Sequence, residues 1–254
     1  PLSRGLGDVY KRQSPFNPAA GTLMGRSAAA AAEVFEGLTR RYGKPAWGLE
    51  VITVDGLPVR TEQETVWASP WCRLVRFARN PVDLKRAGKP VDAPSVLIVA
   101  PLSGHYATLL RGTVEGFLQD HDVYVTDWIN ARQVPMLEGR FDFFDYIDHV
   151  RLMLTEMGPG VHVVGVCQPG PPVLAAVALM AEDGDPCRPA SMTFMGSPID
   201  ARLSPTVTNQ LAEARPFAWF RSNMIHTVPP PYPGIGRRVY PGFVQLSSFM
   251  NMNW

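Results

Sequence analysis

The sequence predicts an α/β fold, a mostly parallel sheet flanked by helices and entered through a short antiparallel section. Three observations predict it. From Ser95 onward, short apolar runs alternate with segments of helical periodicity, which implies parallel strands joined by right-handed crossovers. Before Ser95, an Asp55-Gly56 pair separates two strand-like runs, a strong hairpin signal. Finally, Cys167 stands between a β-branched run and an apolar helix-like stretch, at the kind of strand end where such sheets gather their reactive groups.

Taken in order, Ser27 to Tyr42 reads as a helix, with Ser27 as N-cap and Gly43-Lys44-Pro45 as the stop. Leu49 to Val54 and Leu57 to Val66 form the hairpin, and Cys72 to Ala78 a third strand. Val96 to Ala100 is the first continuous apolar run, followed by the loop Pro101-Leu102-Ser103-Gly104-His105 and a helix to about Gln119. Val123 to Thr126 is a strand ending at Asp127-Trp128. Phe143 to Met157 is a helix, with Ile147, Val150, Leu154 and Met157 at 3-4-3 spacing and Asp142 as its cap. Val161 to Val166, Val173 to Met180 and Met192 to Met195 complete the alternation as strand, helix and strand. After Asp200 the style changes: Val228 to Gly234 and Tyr240-Pro241-Gly242 interrupt any long element, and aromatic side chains are frequent.

The domain reading follows this pattern. Residues 1–13 (PLSRGLGDVYKRQ) lack periodicity and are read as a non-native remnant. Residues 14–92 supply a helix and antiparallel strands, 93–200 the α/β core, and 201–254 the start of a cap insertion. The chain stops at Trp254 without a domain-closing element and is expected to be incomplete at its C-terminus, leaving an edge strand that lowers solubility.

Composition excludes several classes. A hydrophobic content of 46% and a formal net charge of +1 give no basic surplus for nucleic acid. The longest apolar stretch, near Val173 to Ala181, is too short to span a bilayer. Cys72, Cys167 and Cys187 are odd in number and scattered, so neither a disulfide framework nor a metal site is expected, and a reducing cytoplasm is favoured.

The window Gly165-Val166-Cys167-Gln168-Pro169-Gly170 carries the chemistry. A nucleophile on a sharp strand-to-helix turn is how α/β-hydrolases expose a reactive atom. Here that atom is sulfur. Gly165 leaves room for the turn, Pro169 occupies the place of a second glycine, and Gly170 comes one residue late. A helix N-terminus favours an anionic sulfur. The window alone fits equally well a nucleophile or an inert thiol packed behind a strand.

Further motifs accompany it. They are Pro172-Val173-Leu174-Ala175-Ala176, Asp127-Trp128-Ile129-Asn130-Ala131-Arg132, Gly139-Arg140-Phe141-Asp142, Gly196-Ser197-Pro198-Ile199-Asp200 and Tyr240-Pro241-Gly242-Phe243. With the cysteine window, they resemble the intracellular poly(3-hydroxybutyrate) depolymerases over about residues 23–254. The resemblance implies an α/β-hydrolase fold and Cys167 as nucleophile of an ester hydrolysis that needs no metal or organic cofactor. The polyester storage granule in the cytoplasm is then the partner. It also implies that the acid and base of the triad lie beyond residue 254.

On that basis the Gln168 N–H is one oxyanion donor, and the second comes from the loop Ser103, Gly104 and His105. Asp200 is the weaker choice for the acid. Asp127 is read as a helix or loop cap, and His105, His121, His149, His162 and His226 as structural or solvent-facing. Two rivals remain: a polyester synthase-type acyl transferase, whose window usually keeps the second glycine, and a non-catalytic granule-binding fragment. Oligomeric state is not legible.

Overall fold

In the computed structural model the described residues are 43–102, 106–203, 205–242 and 244–245. The helix expected over Ser27 to Tyr42, the segment 1–13 and the loop residues Ser103, Gly104 and His105 lie outside them. Contacts divide the chain into Pro1–Gly43 and Lys44–Trp254, and the second unit holds every element below.

Seven strands form one sheet. The hairpin is β1 (Val51–Val54) and β2 (Leu57–Ala68), turning at Asp55-Gly56 with φ of 47° and 80°. β3 (Cys72–Arg79) follows, then a short helix α1 (Pro81–Arg86), capped by the Asn80 side chain. β4 (Ser95–Val99) leads through a 3₁₀ turn (Ala107–Leu110) into α2 (Arg111–Phe117). β5 (Asp122–Trp128), α3 (Phe143–Met157), β6 (His162–Val166), α4 (Gly170–Glu182) and β7 (Ser191–Met195) complete the alternation. The sheet order is β1-β2-β3-β5-β4-β6-β7. β1, β2, β3 and β5 pair antiparallel, whereas β5, β4, β6 and β7 are parallel, as the sequence pattern predicts.

Alternation along each strand divides the core in two. Val96 and Ile98 of β4 and Ala100 just after it face one layer with Val75, Phe77, Val114 and Leu118; Leu97 and Val99 face the other with Leu74, Val163, Val150, Leu154, Val173 and Met180. Side chains two apart in a strand share a face, so a continuous apolar run serves both layers. Burying each of the Val, Leu, Ile, Phe and Met side chains among them contributes roughly 1.5–3 kcal/mol. α3 meets its expected bounds because both ends are chemically marked. Asp142 accepts from the Phe144 and Asp145 N–H groups, while Asp145 accepts from the Asp142 N–H at 2.7 Å, a reciprocal cap. Gly158 at φ 81° ends the helix.

Beyond β7 the chain forms two short helices, α5 (Val207–Ala214) and α6 (Phe217–Asn223), and a two-residue pair, β8 (His226–Thr227) with β9 (Arg238–Val239). Neither helix contains a buried residue. Among the described residues no helix is long and apolar enough to cross a membrane.

Candidate active site

Parallel strands carry their loops to one edge, and the turn between β6 and α4 puts Cys167 there. Its φ is 65°, a left-handed conformation that an L-residue with a Cβ adopts at a cost of about 1–2 kcal/mol. Such strain persists where the surroundings over-determine it, and nucleophile turns are one such place. The Cys167 N–H continues the β6–β7 ladder to the Met195 carbonyl at 2.8 Å, and the Gly170 N–H closes the turn on the Cys167 carbonyl at 3.2 Å. The thiol is exposed. Geometry therefore removes the buried-thiol reading that the sequence window left open.

Small residues permit the turn. A Cβ on Gly165 would meet the Phe194 ring at 3.1 Å, and one on Gly170 would stand 2.5 Å from the Ser197 Cβ. The close approach that a second glycine normally allows is thus made one residue later, by Gly170, while Pro169 serves as the N-cap residue of α4 at φ −64°. Pro171 and Pro172 occupy the first helical turn, where a missing N–H costs nothing. Ser197 Oγ donates to the Gly165 carbonyl at 3.1 Å and ties the loop after β7 to the turn.

The Gln168 N–H has no acceptor among the described residues, which suits an oxyanion donor. Its side chain reaches across to the loop after β4, where Gln168 Oε1 accepts the Leu102 N–H at 2.7 Å. One residue pair back, the Ala100 N–H donates to Thr126 Oγ1 at 2.8 Å. The Ala100 carbonyl accepts from Trp128 Nε1 at 2.9 Å and from the Tyr146 hydroxyl at 3.3 Å.

The remaining expected residues are placed as follows. Asp200 lies in the loop after β7, and its two carboxylate oxygens accept from Arg202 at 2.8 and 2.7 Å. That pairing holds the Asp200 carboxyl below the usual carboxylate range. Asp127 corrects the sequence reading: it is not a cap but a buried member of β5, ion-paired with Lys44. The strand runs two residues further than its apolar pattern because β3 pairs with it through Cys72↔Trp128 and Arg73↔Asp127. His162 opens β6, at the opposite end of the strand from Cys167, and its Nδ1 bonds Ser191 Oγ at 2.7 Å. His121 Nδ1 bonds the Phe117 carbonyl at 3.3 Å, before β5 begins. His149 lies mid-helix in α3 between Ser69 Oγ at 3.0 Å and the Asp145 carbonyl at 2.7 Å. His226 belongs to β8.

Sequence reasoning missed Arg237. This cation is only 7% exposed, lies 4.5 Å over the Trp71 ring, and donates to the carbonyls of Val134, Pro135 and Gly139. Gly234 completes the junction, with its N–H on the Arg132 carbonyl at 2.9 Å. A Cβ there would come within 2.8 Å of the Ala131 and Val134 carbonyls. The motifs 127–132 and 139–142 thus frame the loop that receives the segment 226–240. Its Gly-Pro-rich pattern gave no sign of this, although an arginine beside Gly234 and Gly236 was the available signal.

A family model described as the PHB de-polymerase C-terminus matches residues 196–254. No curated protein sequence matches the chain. Among solved structures it is similar to naproxen esterase (carboxylesterase NP) from Bacillus subtilis, at 12% identity, 88% of this chain, 66% of that chain and a TM-score of 0.39. It is also similar to carboxylesterase CesB from Bacillus subtilis, at 13% identity, 73% of this chain, 59% of that chain and a TM-score of 0.38. An esterase/lipase from an uncultured bacterium matches at 16% identity, over 92% of this chain and 72% of that chain, with a TM-score of 0.40. The chain spans 43–66% of the length of several structures it matches. The fold is α/β, a seven-stranded sheet with a parallel half flanked by helices, and residues 196–254 match the family model that the resemblance leads one to expect.

Proposed function

We propose that the protein hydrolyses ester bonds of intracellular poly(3-hydroxybutyrate) through a Cys167 acyl-enzyme, at the surface of the cytoplasmic storage granule. The observation that carries this reading is the left-handed Cys167 on the β6–α4 turn, with its thiol exposed. The family match over residues 196–254 supports the polymer as substrate class.

The chemistry is acyl transfer. The Cys167 sulfur attacks the ester carbonyl carbon, a C–S bond forms, and the carbonyl electron pair moves to oxygen. The Gln168 N–H and a donor from the Ser103-Gly104-His105 loop receive that oxyanion. Collapse breaks the C–O ester bond, and the departing hydroxyl end takes a proton. Water then attacks the thioester carbonyl, releases the carboxylic acid end and returns the proton to sulfur. His121 and His162 lie before β5 and at the start of β6, each with its Nδ1 on another partner, and both ring nitrogens of His149 are engaged by Ser69 Oγ and the Asp145 carbonyl. The base is therefore assigned to none of them. Asp200 would have to exchange Arg202 for a histidine to act as the acid.

The cap helices favour contact with an apolar polymer. Val207 of α5 is 67% exposed, Phe217 of α6 79%, and Leu203 just before them 73%. They form a surface for polyester to adsorb, which also suits the granule-binding reading. The test separates the two. Release of 3-hydroxybutyrate from amorphous polymer is measured for the protein and for Cys167→Ala, alongside sedimentation with granules. Hydrolysis abolished by the substitution with binding retained is expected. Granule binding without hydrolysis by the unsubstituted protein would leave only the adsorbing role.

A further inference from the structure

We propose that Arg132, laid over the Tyr232 ring, is a carboxylate-binding residue that takes the acid end of a 3-hydroxyacyl chain. The proposal rests on the ester-hydrolysis reading above for the identity of that chain, and adds to it a site that recognises charge.

The loop after β5 and the segment 226–240 bring together arginines of different standing. Arg140 Nε lies 3.5 Å from a carboxylate oxygen of Asp142. Arg237 is occupied by the carbonyls of Val134, Pro135 and Gly139. Arg132 is not satisfied in either way. Its Nε is buried without a hydrogen-bond partner, and its terminal nitrogens meet no acceptor among the described residues. The guanidinium rests instead on the Tyr232 ring, with Cζ 4.8 Å from the centroid. The Tyr232 hydroxyl also lacks a partner among the described residues. A guanidinium is always charged, and taking it partly out of water without a counter-charge is unfavourable. An anionic ligand completes it.

The backbone presents this cation from a fixed turn. The Arg132 N–H donates to Asn130 Oδ1 at 3.1 Å, and the Arg132 carbonyl accepts the Gly234 N–H at 2.9 Å. Little ordering is left for a ligand to impose.

The placement suits the chain end of a polyester. β5, β4 and β6 are parallel, so their C-terminal ends share one edge of the sheet. Arg132 lies in the 3₁₀ turn Ala131–Gln133 just after β5, and Cys167 follows β6. Neighbouring strands stand about 4.8 Å apart, which puts the ends of β5 and β6 roughly 10 Å from one another. An aliphatic polyester has neutral carbonyls throughout and a charge only at its acid end. A planar fork of N–H groups pairs with both oxygens of a carboxylate, which a single ester carbonyl cannot match. Arg132 therefore favours the chain end over the middle of the chain.

The experiment measures binding of the linear trimer of 3-hydroxybutyrate, as free acid and as methyl ester. Calorimetric titrations use the Cys167→Ala protein at about pH 7, where the acid is ionised and neither ligand is consumed. The acid is expected to bind about 10- to 100-fold tighter than the ester, as charge-assisted hydrogen bonds allow. Adding Arg132→Gln should abolish this preference by weakening the acid alone, with ester affinity kept within about twofold. An arginine that merely braced the loop would weaken both ligands together, and that result overturns the proposal. So does equal affinity of the Cys167→Ala protein for acid and ester, or a preference that survives Arg132→Gln. Inorganic phosphate bound as tightly as the trimer acid overturns it too, since the site then takes any anion. If Arg132→Gln does not fold, Arg132→Lys decides: it keeps the charge without the fork and should shrink the preference about threefold or more. An unchanged preference in that variant overturns the proposal. Hydrolysis of the trimer methyl ester by the unsubstituted protein is read separately. Its absence removes the acyl-transfer reading, and the carboxylate site then stands or falls by the titrations.

Discussion

Gly170 and Ser197 approach so closely that a methyl group on residue 170 would lie 2.5 Å from the Ser197 Cβ. The same serine donates to the Gly165 carbonyl, so the loop after β7 is wedged against both ends of the nucleophile turn. Gly170→Ala must push this loop away or open the turn. We expect a loss of about 1–3 kcal/mol in urea denaturation, the usual cost of overpacking a close contact. Ester hydrolysis should fall as well. Ser197→Gly in the same protein removes the nearest atoms and should restore part of the stability. An additive double variant would mean that the two residues do not constrain one another.

This contact marks how far the sequence can be read. The strands from β4 to β7 and the bounds of α3 were legible because apolar period and cap chemistry agree locally; Asp142 alone locates the start of α3. The position of Cys167 was legible from its flanks, but its φ of 65° and its exposure come from the β6–β7 pairing and the start of α4. Asp127 was misread because its partner, Lys44, lies 83 residues away and leaves no local trace. The segment 226–240 gave no periodic signal, since Arg237 and Gly234 organise it through long-range bonds to carbonyls instead of a buried apolar face.

The three cysteines should separate cleanly in reactivity. Cys72 is fully buried, and burial, helped by the Asp127 charge, pushes its thiol well above the ordinary range. Cys167 is exposed and Cys187 intermediate. Iodoacetamide at pH 7.5, a value near the ordinary thiol range of about 8.5, should label Cys167 first and spare Cys72 until the protein is unfolded. Peptide mass spectrometry over a time course reads this directly. Native-state labelling of Cys72 at a rate comparable to Cys167 would refute the placement of both.

Asp83 offers a pH test of a structural ion cluster. Its carboxylate is buried and accepts Arg60 Nε at 2.7 Å and Arg86 Nη2 at 3.1 Å. The hydrogen bonds from Arg60 hold its carboxyl below the usual carboxylate range. A folded value below the unfolded one means the unfolded chain takes up the proton first as pH falls. The contribution is therefore complete above the unfolded value of about 3.9 and is lost as pH drops through the lower folded value. Asp83→Asn should show a lower urea midpoint than the parent at pH 7, and the two midpoints should converge below about pH 4. A gap that stays constant across this range would show that the charge of Asp83 is not what stabilises the corner.

Arg237 holds the segment 226–240 with no carboxylate partner among the described residues. Its Nη2 donates to the Val134 and Pro135 carbonyls at 3.1 and 2.6 Å, Nη1 to Gly139 at 2.6 Å, and its charge lies over Trp71. Only a planar fork reaches three carbonyls and a ring face at once, so lysine is not a conservative replacement here. Arg237→Met should leave those carbonyls to find water and forfeit the cation–π contact, a loss of about 2–4 kcal/mol. None of these partners lies in a strand of the sheet, so the loss should appear locally. Limited proteolysis is expected to cut the variant between residues 228 and 240 while the core from β1 to β7 keeps its hydrogen-exchange protection. Arg237→Lys should lie between the two. If Arg237→Met instead lowers protection throughout the sheet, the segment is integral to the core and not a separately fastened strut.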